Sequence, residues 1–172
     1  MVHYENTVNM LTPFLYTFAV VIDAFNSPAL AAGLLIAGAA FIFLKSKGHA
    51  TAMVVSAVCA YAVNSILKML FAVPRLDSAL VPVTGYRFPS QHAVMAGAFF
   101  GSVCLSALCV LRSPYKKALV VFVSLSAISI VAWSRVFLYA HLPVDVIVGS
   151  VIGMSISYVV HYFTLRNCYC AG

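Results

Sequence analysis

The segment WSRVFLYAHLPVD, Trp133–Asp145, separates two long apolar runs and carries an arginine, a histidine and an aspartate. Only 8% of the 172 residues are charged and 63% are hydrophobic, so this local concentration of ionisable groups needs a cause. The run before it covers 115–133 and the run after it 143–165. Each is about the 20 residues that a helix needs to cross the hydrocarbon of a bilayer. Further out, apolar runs fall at 8–25, 28–44, 50–71 and 90–111. With a mean hydropathy of +1.03 the chain cannot cover a soluble domain with polar surface. The expectation is all-α: an integral membrane bundle of six transmembrane helices, folded as a single domain over residues 1–172.

The breaks between the runs have physical causes. NSP at 26–28 is a turn signal, and Pro28 suits the first position of a helix. KSKG at 45–48 is charged and ends in glycine, and RSPYKK at 112–117 joins a helix breaker to three cations. HLP at 141–143 places Pro143 where the sixth helix can start. The N-terminus lacks the basic region and cleavage site of a removable signal peptide. Cys59, Cys104 and Cys109 lie inside apolar runs and read as core residues; with Cys168 and Cys170 they form no disulfide framework.

The formal net charge is +6. In a membrane protein this reads as basic cytoplasmic loops rather than a nucleic-acid surface, and no nucleic-acid partner is expected. Lys45, Lys47, Arg112, Lys116, Lys117 and Arg166 all fall on one side of six alternating spans. That side should be cytoplasmic and should hold both termini. His3, His49 and His161 lie toward it and read as surface or interfacial. Lys68, Arg75, Arg87 and Arg135 fall at the opposite face. A cation near lipid costs about 2.5–3.5 kcal/mol on insertion scales, and such residues usually mark a site.

Three segments reach that opposite face. In KMLFAVPR, Lys68 and Arg75 would share one side of a helix if the helix persisted past Pro74. In RFPSQH, Ser90 fits an N-cap, and the N–H groups behind it suit an anion. In the opening segment Ser134 and Arg135 close the fifth span, while His141 and Asp145 are four apart, so a turn brings carboxylate to imidazole. Cations and N–H donors suit a phosphate. One histidine held by a carboxylate suits a nucleophile, and a second suits a proton donor. The residues alone therefore point to phosphoryl transfer at a membrane surface.

The three segments resemble the motifs of the type-2 phosphatidic acid phosphatase superfamily of membrane lipid phosphatases: K-x6-R-P, then P-S-G-H, then S-R-x5-H-x3-D. The chain supplies Lys68 and Arg75, then Pro89, Ser90 and His92, then Ser134, Arg135, His141 and Asp145, in order and at those intervals. Leu76 stands where the family has proline, and Gln91 where it has glycine. The resemblance implies that His141 attacks phosphorus to form a phosphohistidine, with Asp145 holding its tautomer and His92 serving the leaving group and then water. It implies that Lys68, Arg75, Ser90, Arg135 and the first N–H groups of the fourth span, Gln91 among them, bind the phosphoryl oxygens. No metal and no cofactor is implied, in keeping with the lack of a carboxylate cluster on that face. Arg87 matches no motif position; it reads as an interfacial anchor or a head-group contact.

The implied protein is a bacterial inner-membrane enzyme with its site facing the periplasm. Its partners would be the bilayer and a lipid phosphate, with no obligatory protein partner. Lipid A 1-phosphate leads as substrate, ahead of undecaprenyl diphosphate and phosphatidylglycerol phosphate. A vanadate-dependent haloperoxidase shares the motifs but is soluble. A silent lipid-binding bundle would not need both histidines and the aspartate, and a small anion transporter would call for unwound, glycine-interrupted helices near the midplane, whereas here the ionic residues cluster at helix ends.

Overall fold

The computed structural model describes residues 13–22 and 47–165, and every regular element among them is helical. The short apolar helix α1 covers Pro13–Ile22, within the first expected span. The second expected span, 28–44, lies outside the described residues, as do Lys45, Arg166, Cys168, Cys170 and His3. Four longer helices follow: α2, Lys47–Phe71; α3, Gln91–Val110; α4, Pro114–Phe137; and α5, Pro143–Thr164. Each of these four is long and apolar enough to cross a membrane.

Helix ends follow local chemistry. Pro114 and Pro143 stand in the first turns of α4 and α5, where a missing N–H costs nothing. Helix α2 stops at Phe71 because Pro74 disfavours helical geometry at Val73. Ala72 turns the chain with φ +45°. The helix therefore does not carry Arg75 beside Lys68; Arg75 reaches the site from the 72–90 connection instead.

Helix α3 packs against α2, α4 and α5, and its contact with α5 is the most extensive. That contact is built from two stripes with a four-residue repeat. Ser90, Val94, Ala98, Ser102 and Ser106 are buried on or just before α3, and Asp145, Gly149, Gly153, Ser157 and His161 on α5. The stripes run parallel with an offset of 55 residues, fixed at one end by Ser90 N–H donating to the Asp145 carbonyl (3.1 Å) and at the other by Ser106 with His161. Glycine makes the approach possible. A Cβ on Gly97 would stand 2.6 Å from the Ser150 carbonyl oxygen, and one on Gly153 would run into the backbone at Val94 and Ala98. The small-residue spacings in these two helices thus serve packing inside the bundle.

His49 and His161 are both buried, at 5% and 0% exposure, which corrects the expectation of a surface position. Nearness to a helix end does not decide exposure; the face does, and His161 lies on the stripe that meets α3. Its Nδ1 donates to the Ser157 carbonyl (2.9 Å), so its Nε2 accepts from the Ser106 hydroxyl (3.1 Å).

Candidate active site

The 72–90 and 138–142 connections meet at one end of the bundle. Leu80 N–H donates to the Leu138 carbonyl (3.0 Å), and Arg87 N–H to the Val73 carbonyl (2.9 Å). This end gathers the C-terminal turns of α2 and α4 and the N-terminal turns of α3 and α5. All three sequence motifs therefore arrive together.

The connection before α3 presents carbonyl groups to two cations. Lys68 donates to the Tyr86 carbonyl. Arg75 donates from Nε to Gly85 (3.2 Å) and from Nη2 to Thr84 (3.0 Å). Its Nη1 lies 3.4 Å from the Ala140 carbonyl and 3.2 Å from His141 Nε2. Gly85 allows this cradle because its φ is +68°, a backbone region that a side chain disfavours. A guanidinium can only donate, so His141 Nε2 must hold its lone pair toward Arg75, and the ring proton belongs on Nδ1.

Nδ1 faces Asp145. The separation from Oδ2 is 3.6 Å, an ion-pair distance rather than a close hydrogen bond. The same oxygen accepts Leu142 N–H at 2.9 Å, so Asp145 also caps the helix it begins. Arg87 Nε stands 3.1 Å from that oxygen. Arg87 thus meets Asp145, a contact that neither sequence reading of this residue contained. Asp145 is fully buried and its Oδ1 has no hydrogen-bond partner.

Ser90 occupies the N-cap position of α3, but its hydroxyl makes no capping bond. The Oγ is buried and without a hydrogen-bond partner in the protein. Gln91 and His92 form the first helical positions behind it, so Gln91 takes ordinary helical geometry in place of a glycine. Arg135, in the last turn of α4, is 3% exposed. His141, itself 3% exposed, titrates well below the usual 6.5, chiefly because burial disfavours its charged form and then because Arg75, Arg135, Lys68 and His92 press on it electrostatically. His92 and His141 therefore share one electrostatic environment. No three His, Cys, Asp or Glu side chains come together to hold a metal among the described residues. Four cationic side chains, a helix N-terminus and a buried hydroxyl make a setting fitted to a tetrahedral oxyanion.

The model of the PAP2 superfamily matches residues 49–168, and the chain belongs to that superfamily of phosphatases. Among solved structures it is similar to a transmembrane PAP2-type phosphatidylglycerolphosphate phosphatase from Bacillus subtilis, at 22% identity and a TM-score of 0.80, over 90% of this chain and 78% of that one. It is also similar to LpxE of Aquifex aeolicus, at 21% identity and a TM-score of 0.67, over 86% of each chain. At these identities the two likenesses speak for the fold. No curated protein matches the chain by sequence.

Proposed function

We propose that the chain hydrolyses the phosphomonoester or diphosphate of a membrane lipid through a phosphohistidine on His141, without a metal ion. The observation that carries this reading is the two-sided hold on one imidazole: a guanidinium at Nε2 and a carboxylate at Nδ1. It supports a tautomer whose lone pair points into the cation cluster, where a phosphorus atom would stand. Nε2 attacks phosphorus in line, and the bond to the leaving oxygen breaks. Asp145 stabilises the charge that develops on the ring. His92 gives its proton to the leaving oxygen, then takes one from the water that cleaves the P–N bond. Arg75 exchanges its contact with Nε2 for a phosphoryl oxygen; Lys68, Arg135, the Ser90 hydroxyl and the N–H groups of Gln91 and His92 bind the others.

The substrate keeps its tail in the bilayer, because the site opens at the ends of four apolar helices. Lipid A 1-phosphate is the proposed substrate. Undecaprenyl diphosphate and phosphatidylglycerol phosphate have the same chemistry, and the Bacillus subtilis neighbour acts on phosphatidylglycerolphosphate. The proposed location is a bacterial inner membrane, with the site toward the periplasm.

Phosphate release by purified protein in detergent tests the reading. Turnover should persist in EDTA, and a requirement for added magnesium would refute the metal-free mechanism. His141→Ala should lose on the order of 10⁴-fold or more. His92→Ala should lose on the order of 10²–10⁴-fold. Flux of an anion without hydrolysis would favour a transporter instead.

A further inference from the structure

We propose that Arg87 is a positioning residue that divides the Asp145 carboxylate with His141, and that the inner phosphate of a lipid diphosphate draws Arg87 away and releases the carboxylate to His141. The inference rests on the phosphatase reading above and assigns that site a preference for substrates with a second phosphate, which favours the undecaprenyl diphosphate alternative over lipid A 1-phosphate.

Three observations carry it. Arg87 Nε and His141 Nδ1 approach the same oxygen of Asp145, at 3.1 and 3.6 Å, with the cation the nearer. The contact is one of charge and not a formed hydrogen bond, because Nε remains without an aligned partner. The Arg87 side chain is 14% exposed while that of Asp145 is 1% exposed, so the guanidinium stands at the open side and the carboxylate beneath it. A phosphate can offer the guanidinium two aligned, charge-assisted bonds in exchange for this misaligned one.

A shared carboxylate supports each cation less than an undivided one. While Arg87 occupies Oδ2, the imidazolium that forms as His141 attacks receives weakened support. With a diphosphate, Nε2 bonds to the terminal phosphorus and the anhydride P–O bond breaks. The lipid monophosphate leaves, taking its proton from His92. Its phosphate is the group beside Arg87, so Arg87 offsets the leaving charge and Asp145 turns wholly to His141. A monophosphate has no group to draw Arg87 away.

The test compares a short-chain prenyl diphosphate with its monophosphate, using the full chain in detergent as wild type, Arg87→Gln and Arg87→Lys. Wild type should favour the diphosphate by about tenfold in kcat/KM, and Arg87→Gln should erase that preference chiefly through kcat, with Arg87→Lys keeping part of it. On the monophosphate, Arg87→Gln should move the onset of acid inhibition upward. An undivided Asp145 then faces His141, with Lys68 on α2, Arg75, His92 on α3 and Arg135 on α4 unchanged around it. Equal losses on both substrates with an unmoved pH profile would overturn the proposal and leave Arg87 a scaffold residue. If Arg87→Gln does not fold by thermal melting, the substrate ratio of Arg87→Lys decides. Wild type inactive on both prenyl substrates overturns this inference, and inactive on lipid A 1-phosphate as well it refutes the phosphatase reading itself; an active wild type with an unchanged ratio in the variants refutes only this inference.

Discussion

His141 is a neutral ring held in a field of positive charge. Burial and the surrounding cations lower its titration from the usual 6.5, so its Nε2 lone pair stays available at mildly acidic pH. The same shift has a consequence for stability. Between the lowered value and 6.5 the unfolded chain binds a proton that the folded chain refuses, so stability falls as pH drops below 6.5 and is restored above it. The slope from one such group is at most about 1.4 kcal/mol per pH unit. The apparent melting temperature in detergent should therefore fall from pH 7 to pH 5, and His141→Asn should flatten that fall. A variant with the same slope as wild type would mean that the ring is not held neutral. Gly85 gives a second prediction at this scale. Nothing lies within 4 Å of a Cβ placed on it, so Gly85→Ala should cost only the left-handed backbone term, about 1–2 kcal/mol. Its effect on turnover should be larger in proportion, because the Gly85 carbonyl holds Arg75 Nε; Arg75→Lys should show a loss in the same parameter. The motif residues were legible because phosphoryl chemistry demands particular side chains at fixed spacing. Arg87 against Asp145 was not, because that contact joins a loop to a helix start 58 residues away and no periodicity encodes it.

Between α3 and α5 the decisive interaction is backbone against backbone. The stripe of Asp145, Gly149, Gly153, Ser157 and His161 repeats every four residues, the ridge that packs helix on helix. Its upper member belongs to the site, so this packing sets where the Asp145 carboxylate stands. A methyl group on Gly153 would meet backbone atoms of Val94 and Ala98, which cannot step aside as side chains do. Gly153→Ala should therefore destabilise by about 1–3 kcal/mol. Val151→Ala, at a position 53% exposed, should change little. Unfolding temperatures of the two variants in one detergent check this, and equal stability would contradict a close backbone approach. Most of this layer could be read from the sequence. The runs expected at 90–111, 115–133 and 143–165 became Gln91–Val110, Pro114–Phe137 and Pro143–Thr164, because prolines, and a serine at the position before α3, mark starts that hydropathy alone blurs. The cytoplasmic end of the sixth run suggests a surface position for His161, but its place in the four-residue stripe buries it against α3. The end of α2 matches the apolar run that stops at 71, with Pro74 announcing the break; what has no sequence signature is the left-handed Ala72, which turns the chain so that Arg75 approaches from the connection and not along the helix.

Across the whole molecule the cations divide into two populations, and the division bears on orientation. At the site end Lys68 and Arg75 are bound to loop carbonyls, Arg87 to Asp145, and Arg135 acts on His141. These charges are committed to the site. At the other end stand Lys47, Arg112, Lys116 and Lys117, and it is cations at helix ends and in loops of this kind that anchor a helix end in the cytoplasm. Counting all cations together would blur the bias; removing those committed to the site restores it. The site end should then face away from the cytoplasm. Cysteine labelling in a background with all five native cysteines replaced tests this. Ser78→Cys lies in the exposed part of the 72–90 connection, and Tyr115→Cys at the opposite end, where the native side chain is 76% exposed. A membrane-impermeant thiol reagent applied to intact spheroplasts should modify Ser78→Cys and leave Tyr115→Cys untouched until the membrane is permeabilised. The reverse pattern would put the site in the cytoplasm. The lipid phosphate would then have to be drawn from the inner leaflet, which rules out a substrate displayed only on the outer one.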